Sequence, residues 1–129
     1  MKSLKTLSLM LLLLVLCLLV LAGCTKSTDQ YYTEGNQAVE IASGEQFTIK
    51  LEANITTGYE WQVEYDESLL ALLESEYLPD DEDGPPGSGG AQFFTFEGLK
   101  SGATEILLVY KQPWMEEIDQ ELVFAVTIE

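Results

Sequence analysis

The sequence predicts an all-β chain, an immunoglobulin-like β-sandwich of about seven antiparallel strands preceded by a lipoprotein signal peptide. Three observations predict it. Beyond residue 36, apolar residues recur at every second position in short runs, the spacing of strands that bury one face. Clusters of Gly, Pro, Asn and Asp break these runs at short intervals. The same region holds no sustained stretch of helical periodicity. A closed barrel is the alternative architecture.

The N-terminus is of another kind. Lys2 and Lys5 precede an apolar run from Leu7 to Leu21 that only Ser8 interrupts, and the run leads into Ala22-Gly23-Cys24. A charged start, a short apolar stretch and small residues make a secretory signal. A cysteine placed directly after Leu-Ala-Gly resembles the bacterial lipobox, which implies that Cys24 is lipidated and becomes the first residue of the mature chain. An uncleaved membrane anchor is the alternative, but an anchor needs no cysteine there. Residues 1–23 are therefore expected to be a signal peptide, 24–36 a lipidated N-terminus and polar tether, and 37–129 the sandwich domain. The expected location is extracytoplasmic, with the chain lipid-anchored to the cell membrane.

Composition removes several classes of function. The chain has no histidine and no arginine, and its two cysteines both fall within the first 24 residues. A domain without histidine or cysteine cannot build the usual zinc sites, a Ser-His-Asp triad or a Cys-His pair, and no metal or cofactor is expected. From Cys24 onward four lysines stand against 22 acidic residues, a net −18. Nucleic-acid binding needs a basic footprint, and none is present. Many carboxylates are available, but no spacing singles out a catalytic pair, so the domain is not expected to be an enzyme.

The strands follow in order. Val39 and Ile41 alternate with polar neighbours, and Ser43-Gly44 turns the chain. Phe47, Ile49, Leu51 and Ala53 form the second run, and Asn54 to Gly58 breaks it. Tyr59, Trp61 and Val63 form the third, with Trp61 in phase with a core. Asp66 to Leu73 fits either a short helical turn or an entry into a fourth strand near Leu72 to Tyr77. Pro79, Asp80-Asp81-Glu82-Asp83, Pro85-Pro86 and Gly87-Ser88-Gly89-Gly90 then make a long loop. Its acidic run does not match the calcium-loop spacing of an EF-hand. Phe94 and Phe96 open the fifth strand, Gly98 to Gly102 turns, and Ile106, Leu108 and Tyr110 mark the sixth. Lys111 to about Asp119 is a second long loop, and Leu122, Phe124, Val126 and Ile128 form the last strand.

If successive strands alternate in direction, the loops after the second, fourth and sixth strands meet at one pole, as the binding loops of antibody variable domains do. These are the three unusual loops: Asn54 to Tyr59, Gly87 to Gly90, and the one carrying Pro113-Trp114. Trp114 either anchors an interface or folds back as a lid on the sandwich end.

Together the three loops resemble the chagasin family, protein inhibitors of papain-like cysteine peptidases. That family carries an Asn-Pro-Thr-Thr-Gly-Tyr loop, a Gly-x-Gly-Gly loop and an Arg-Pro-Trp loop in this order. The present chain has Asn54-Ile55-Thr56-Thr57-Gly58-Tyr59, Gly87-Ser88-Gly89-Gly90 and Gln112-Pro113-Trp114. Trp61 after the first motif and Phe94-x-Phe96 after the second also fit. The resemblance covers residues 37 to 129. It implies a reversible inhibitor that inserts three loops into the active-site cleft of a papain-like cysteine peptidase and acts as a monomer. The peptidase-binding residues it implies are Asn54, Thr56, Thr57, Gly58, Tyr59, Gly87, Gly89, Gly90, Pro113 and Trp114, with Thr56 and Thr57 offering backbone groups and hydroxyls near the catalytic cysteine. Ile55 stands where the family has proline, so the first loop is expected to be less rigid. Gln112 stands where the family has arginine, which removes a charged contact with the enzyme. The alternative function is a surface-anchored binding module with the same fold and no inhibitory activity.

Overall fold

The computed structural model describes residues 2–20 and 30–129, with side chains from 3 to 15 and from 30 onward. Cys24 and the small residues before it lie outside the described residues. The apolar N-terminal run forms one helix, α1 (Lys2–Val20), in keeping with its Leu and Met content and its lack of Gly and Pro. Among the described residues no helix is long and apolar enough to cross a membrane.

Eight strands follow: β1 (Tyr31–Tyr32), β2 (Ala38–Ile41), β3 (Gln46–Ala53), β4 (Glu60–Glu64), β5 (Leu70–Pro79), β6 (Gly90–Gly98), β7 (Gly102–Lys111) and β8 (Ile118–Ile128). They form two four-stranded sheets in the orders β1-β3-β6-β5 and β2-β8-β7-β4. The seven strands predicted from periodicity are β2 to β8. The eighth, β1, corrects the expected tether, because the sandwich begins at Tyr31 rather than after residue 36. Tyr31 and Tyr32 run parallel to Thr48 and Ile49 of β3. Their rings hold the strand in place. Tyr32 meets Phe47 edge-on at 5.9 Å between centroids, and Tyr31 meets Phe93 edge-on at 5.4 Å. The Lys50 ammonium lies 5.9 Å and 5.7 Å from the Tyr31 and Phe93 ring centres, within cation–π range.

The alternating apolar positions face each other across the two sheets. Phe47, Ile49 and Leu51 of β3 and Phe94 and Phe96 of β6 meet Ile106 and Leu108 of β7 and Phe124, Val126 and Ile128 of β8. Every second residue of β3 and of the end of β8 is buried, so a one-residue slip would expose the whole set and the register is fixed. The ambiguous Asp66 segment is a tight turn. The Leu69 and Leu70 amides donate to the Asp66 carbonyl at 3.1 and 3.0 Å. The Ser68 hydroxyl and then its amide donate to the Asp66 carboxylate, at 2.6 and 2.9 Å, and hold that carboxyl below the ordinary range. The chain then enters β5 directly.

Strand direction settles where the loops fall. β3, β6 and β5 are antiparallel in one sheet, and β8, β7 and β4 are antiparallel in the other. β3, β5 and β7 therefore deliver their following loops to one end, while the Ser43-Gly44 turn, the Asp66 turn and the Gly98–Gly102 turn fall at the other.

Candidate functional site

The first loop is built around Asn54. Asn54 precedes a single 3-10 turn, Ile55–Thr57, and serves as its N-cap. Its side-chain oxygen accepts the Thr56 amide at 3.3 Å and the Thr56 hydroxyl at 2.5 Å. Its carbonyl accepts the Thr57 hydroxyl at 2.7 Å and the Thr57 amide at 3.3 Å. Its own amide donates to the Tyr110 hydroxyl at 2.9 Å, and its side-chain nitrogen donates to the Gly87 carbonyl at 3.1 Å. One residue thus closes the first loop on itself, ties it to the sheet through β7 and joins it to the second loop. Gly58 ends the turn in the left-handed region, φ 81°, and donates to the Ile55 carbonyl at 3.0 Å.

The second loop, residues 80–89, is pinched at its base by the Asp80 amide donating to the Gly89 carbonyl at 3.1 Å. The Ser88 amide and hydroxyl both donate to the Pro85 carbonyl, which brings Gly87 toward Asn54. Asp80 to Asp83 are exposed, as expected of a solvated run. The third loop turns over Gln112-Pro113-Trp114-Met115, where the Met115 amide donates to the Gln112 carbonyl at 3.0 Å and proline occupies the second position that such turns favour. The Gln112 side chain donates to the Thr57 carbonyl at 3.2 Å. The edge of the Trp114 ring closes over Gly58, so tightly that a Cβ on Gly58 would stand 2.5 Å from the ring. The three loops are therefore one bonded unit.

The footing lies just below. Trp61 is buried, with its amide donating to the Gln92 side-chain oxygen at 2.7 Å and its indole N–H to the Glu52 carbonyl at 2.8 Å. Tyr110 lies between Trp61 and Tyr59, at 5.0 and 5.4 Å between ring centres. Tyr59 is half-buried in this stack, so it supports the loop more than it presents a surface.

The structure departs from the sequence reading at four points. Gly90 is buried as the first residue of β6, paired with Ala53 and Pro79, and a Cβ there would strike the Leu78 carbonyl and the Tyr77 hydroxyl. Its role is in the sheet and not at a contact surface, which corrects its place among the binding residues. Thr56 and Thr57 spend their hydroxyl protons on Asn54, so they present lone pairs outward and not donors. Where the family has proline at position 55, this chain holds the turn with the Asn54 bonds to Thr56 and Thr57. Gln112, expected only as a lost charge, is an internal cross-link between the first and third loops. Tyr110 and Gln92 were not anticipated as parts of the site. The one signal for Tyr110 is chemical: a half-buried phenol seeks a hydrogen-bond partner, and it stands two residues before Gln112.

Ile55 tests this reading of the first loop. It occupies the first position of the 3-10 turn, where proline's fixed φ fits and its missing N–H removes no bond seen in the structure. Asn54 before it, at φ −125° and ψ 88°, lies outside the helical region that a following proline disfavours. Ile55→Pro is expected to stabilise the chain by about 0.4–1 kcal/mol, read as a higher melting temperature. A lower one would show that the turn relies on the Ile55 amide.

Residues 40–128 match the model of the chagasin family of peptidase inhibitors, family I42. The chain belongs to the chagasin family. Amoebiasin-1 of Entamoeba histolytica is 39% identical over 80 residues, which are 61% of this chain and 76% of that protein. A crystal structure of a cysteine protease inhibitor from Entamoeba histolytica superposes with a TM-score of 0.70 at 27% identity, over 78% of this chain and 95% of the other. The solution structure of Amebosin gives 0.65 at 33% identity, over 77% and 96%. The eight-stranded sandwich of this chain is thus the chagasin-family fold, and the chain is a peptidase inhibitor by family.

Proposed function

We propose that this chagasin-family chain reversibly inhibits papain-like cysteine peptidases by inserting its three bonded loops into the active-site cleft. The observation that carries the reading is the hydrogen-bonded junction of Asn54 with Gly87 and Gln112 with Thr57, capped by Trp114 over Gly58. An edge ordered before binding loses little conformational freedom when it docks, so more of the contact energy appears as affinity. Thr56, Thr57 and Gly58 form the tip that approaches the catalytic cysteine. Gly87 and Gly89 flank it on one side and Pro113 and Trp114 on the other, with Asn54 and Tyr59 behind. The tip is a tight turn bonded to its own neighbours, so it fills the cleft without offering an extended segment for cleavage. No histidine or cysteine stands on these loops, which is consistent with blocking and not with catalysis.

Titration of papain with the full chain in a mild detergent tests the reading. Tight, reversible loss of peptidase activity is expected. Absence of inhibition at micromolar concentrations across several papain-like enzymes overturns it and leaves a binding module in its place.

We further propose a lipid anchor. Its support is the sequence alone: the charged start, the apolar run and Leu21-Ala22-Gly23-Cys24. On this reading residues 1–23 are a signal peptide, Cys24 carries the lipid, and the inhibitor stands as a monomer on the extracytoplasmic face of the membrane. Cys24→Ala is expected to block lipidation and leave the full-length precursor, seen as a shift in mass. Normal processing of the variant would overturn the assignment.

A further inference from the structure

The first strand bears on how the domain stands above a membrane. β1 runs parallel to β3, with Tyr31 opposite Thr48 and Tyr32 opposite Ile49. β3 leads into the Asn54 loop, so the chain enters the sandwich from the far pole and travels toward the three loops. The next elements agree. The chain reverses over residues 33–36, where the Asn36 amide donates to the Thr33 carbonyl at 2.9 Å, and β2 runs back parallel to β8, away from the loops. The entry point is held by side chains: Tyr31 packs on Phe93, Tyr32 on Phe47, and the Lys50 ammonium lies over the Tyr31 and Phe93 rings.

Distances decide which orientation an attachment at Cys24 favours. Tyr31 stands level with the third residue of β3, about 7 Å from that strand's far-pole end. The Thr56-Thr57 tip lies roughly 20 Å from Tyr31 in the other direction, five strand residues and one 3-10 turn away. Cys24 is seven Cα steps from Tyr31, a reach of at most about 25 Å. A domain with its far pole toward the bilayer needs only the shorter distance. An inverted domain needs nearly all of the reach merely to keep its tip level with the headgroups. The second and third loops also carry Asp80 to Asp83, Glu116 and Glu117, all exposed, which an anionic bilayer repels.

We infer that the anchored inhibitor stands with its three loops directed away from the bilayer, and that its targets are cysteine peptidases free in the surrounding fluid, which dock from the side opposite the membrane. The inference rests on the inhibitor and lipid-anchor readings and deepens both. The parallel pairing of β1 turns attachment at Cys24 into a set orientation, so the bilayer does not obstruct the edge that fills the cleft.

The lipidated protein, added to preformed vesicles containing phosphatidylglycerol so that it occupies the outer leaflet, is titrated against soluble papain, and the same preparation is titrated in detergent. The two inhibition constants are expected to agree within about threefold. Deletion of Ser27 to Asp29 leaves four Cα steps, about 14 Å, enough for the upright domain and too few for an inverted one to hold its tip clear of the headgroups. The deletion is expected to leave inhibition on vesicles within about threefold of that in detergent. Inhibition weaker by about tenfold or more on vesicles than in detergent, for the parent or the deletion, overturns the inference alone. Lack of inhibition in both media overturns the inhibitor reading together with it. Protein that does not sediment with the vesicles overturns the anchor reading together with it.

Discussion

Trp114→Ala is expected to weaken inhibition about 30-fold or more, roughly 2 kcal/mol, while the melting temperature stays within a few degrees of the parent. The two halves of this expectation come from different observations. Trp114 is 69% exposed, so its removal takes little apolar surface out of the folded core. Its turn is closed by main-chain atoms and by Pro113, so the loop keeps its shape without the ring. What disappears is a large, rigid aromatic surface presented beside the Thr56-Thr57-Gly58 tip, the kind of residue that dominates alanine scans of interfaces. Inhibition of papain and thermal unfolding of the same preparation read the two effects separately. A melting temperature that falls by roughly 8 °C or more would show that Trp114 closes the end of the sandwich, the lid role left open by the sequence.

Much of the sandwich follows from period two, because one buried face per strand leaves a mark at every second residue. Phe47, Ile49, Leu51 and Ala53 face inward as that mark requires, and so do Phe124, Val126 and Ile128. The meeting of the three loops also follows from strand order, since it needs only that strand direction alternate. β1 left no such mark: two residues cannot show a period, and Tyr31 and Tyr32 are strand residues only because β3 and its aromatic neighbours lie beside them. The bonds that make the site one unit were hidden for a related reason. Asn54 meets Gly87 33 residues away, and Gln112 meets Thr57 55 residues away. Such a contact depends on which strands pair and in what register, β3 with β6 for the first and β4 with β7 for the second, and no local pattern encodes it. Gly90 is the opposite case: four neighbouring residues look like one loop, whereas the sheet resumes inside the motif and buries the last glycine.

Gly58→Ala should weaken inhibition as severely as loss of the tryptophan itself, although the substitution adds only a methyl group. Two penalties meet at this position. Alanine in the left-handed region at φ 81° costs about 1–2 kcal/mol of stability. The new Cβ would also stand 2.5 Å from the Trp114 ring, and Trp114, exposed and held only by its own turn, is the partner that yields. Stability should therefore fall only by the backbone cost, roughly 5–10 °C in melting temperature, whereas inhibition should fall about 30-fold because the ring is pushed off its seat. Gly44→Ala supplies the control. Gly44 has nearly the same φ, 85°, lies at the far pole, and a Cβ there meets nothing within 4 Å. It should lose similar stability and no inhibition. The double variant Gly58→Ala/Trp114→Ala then separates a shared mechanism from two independent contacts. If both substitutions act through the position of one ring, the combined loss stays near that of either single change. Independent contacts would multiply to about a thousandfold, and that result would overturn the assignment of Gly58 as the seat of Trp114.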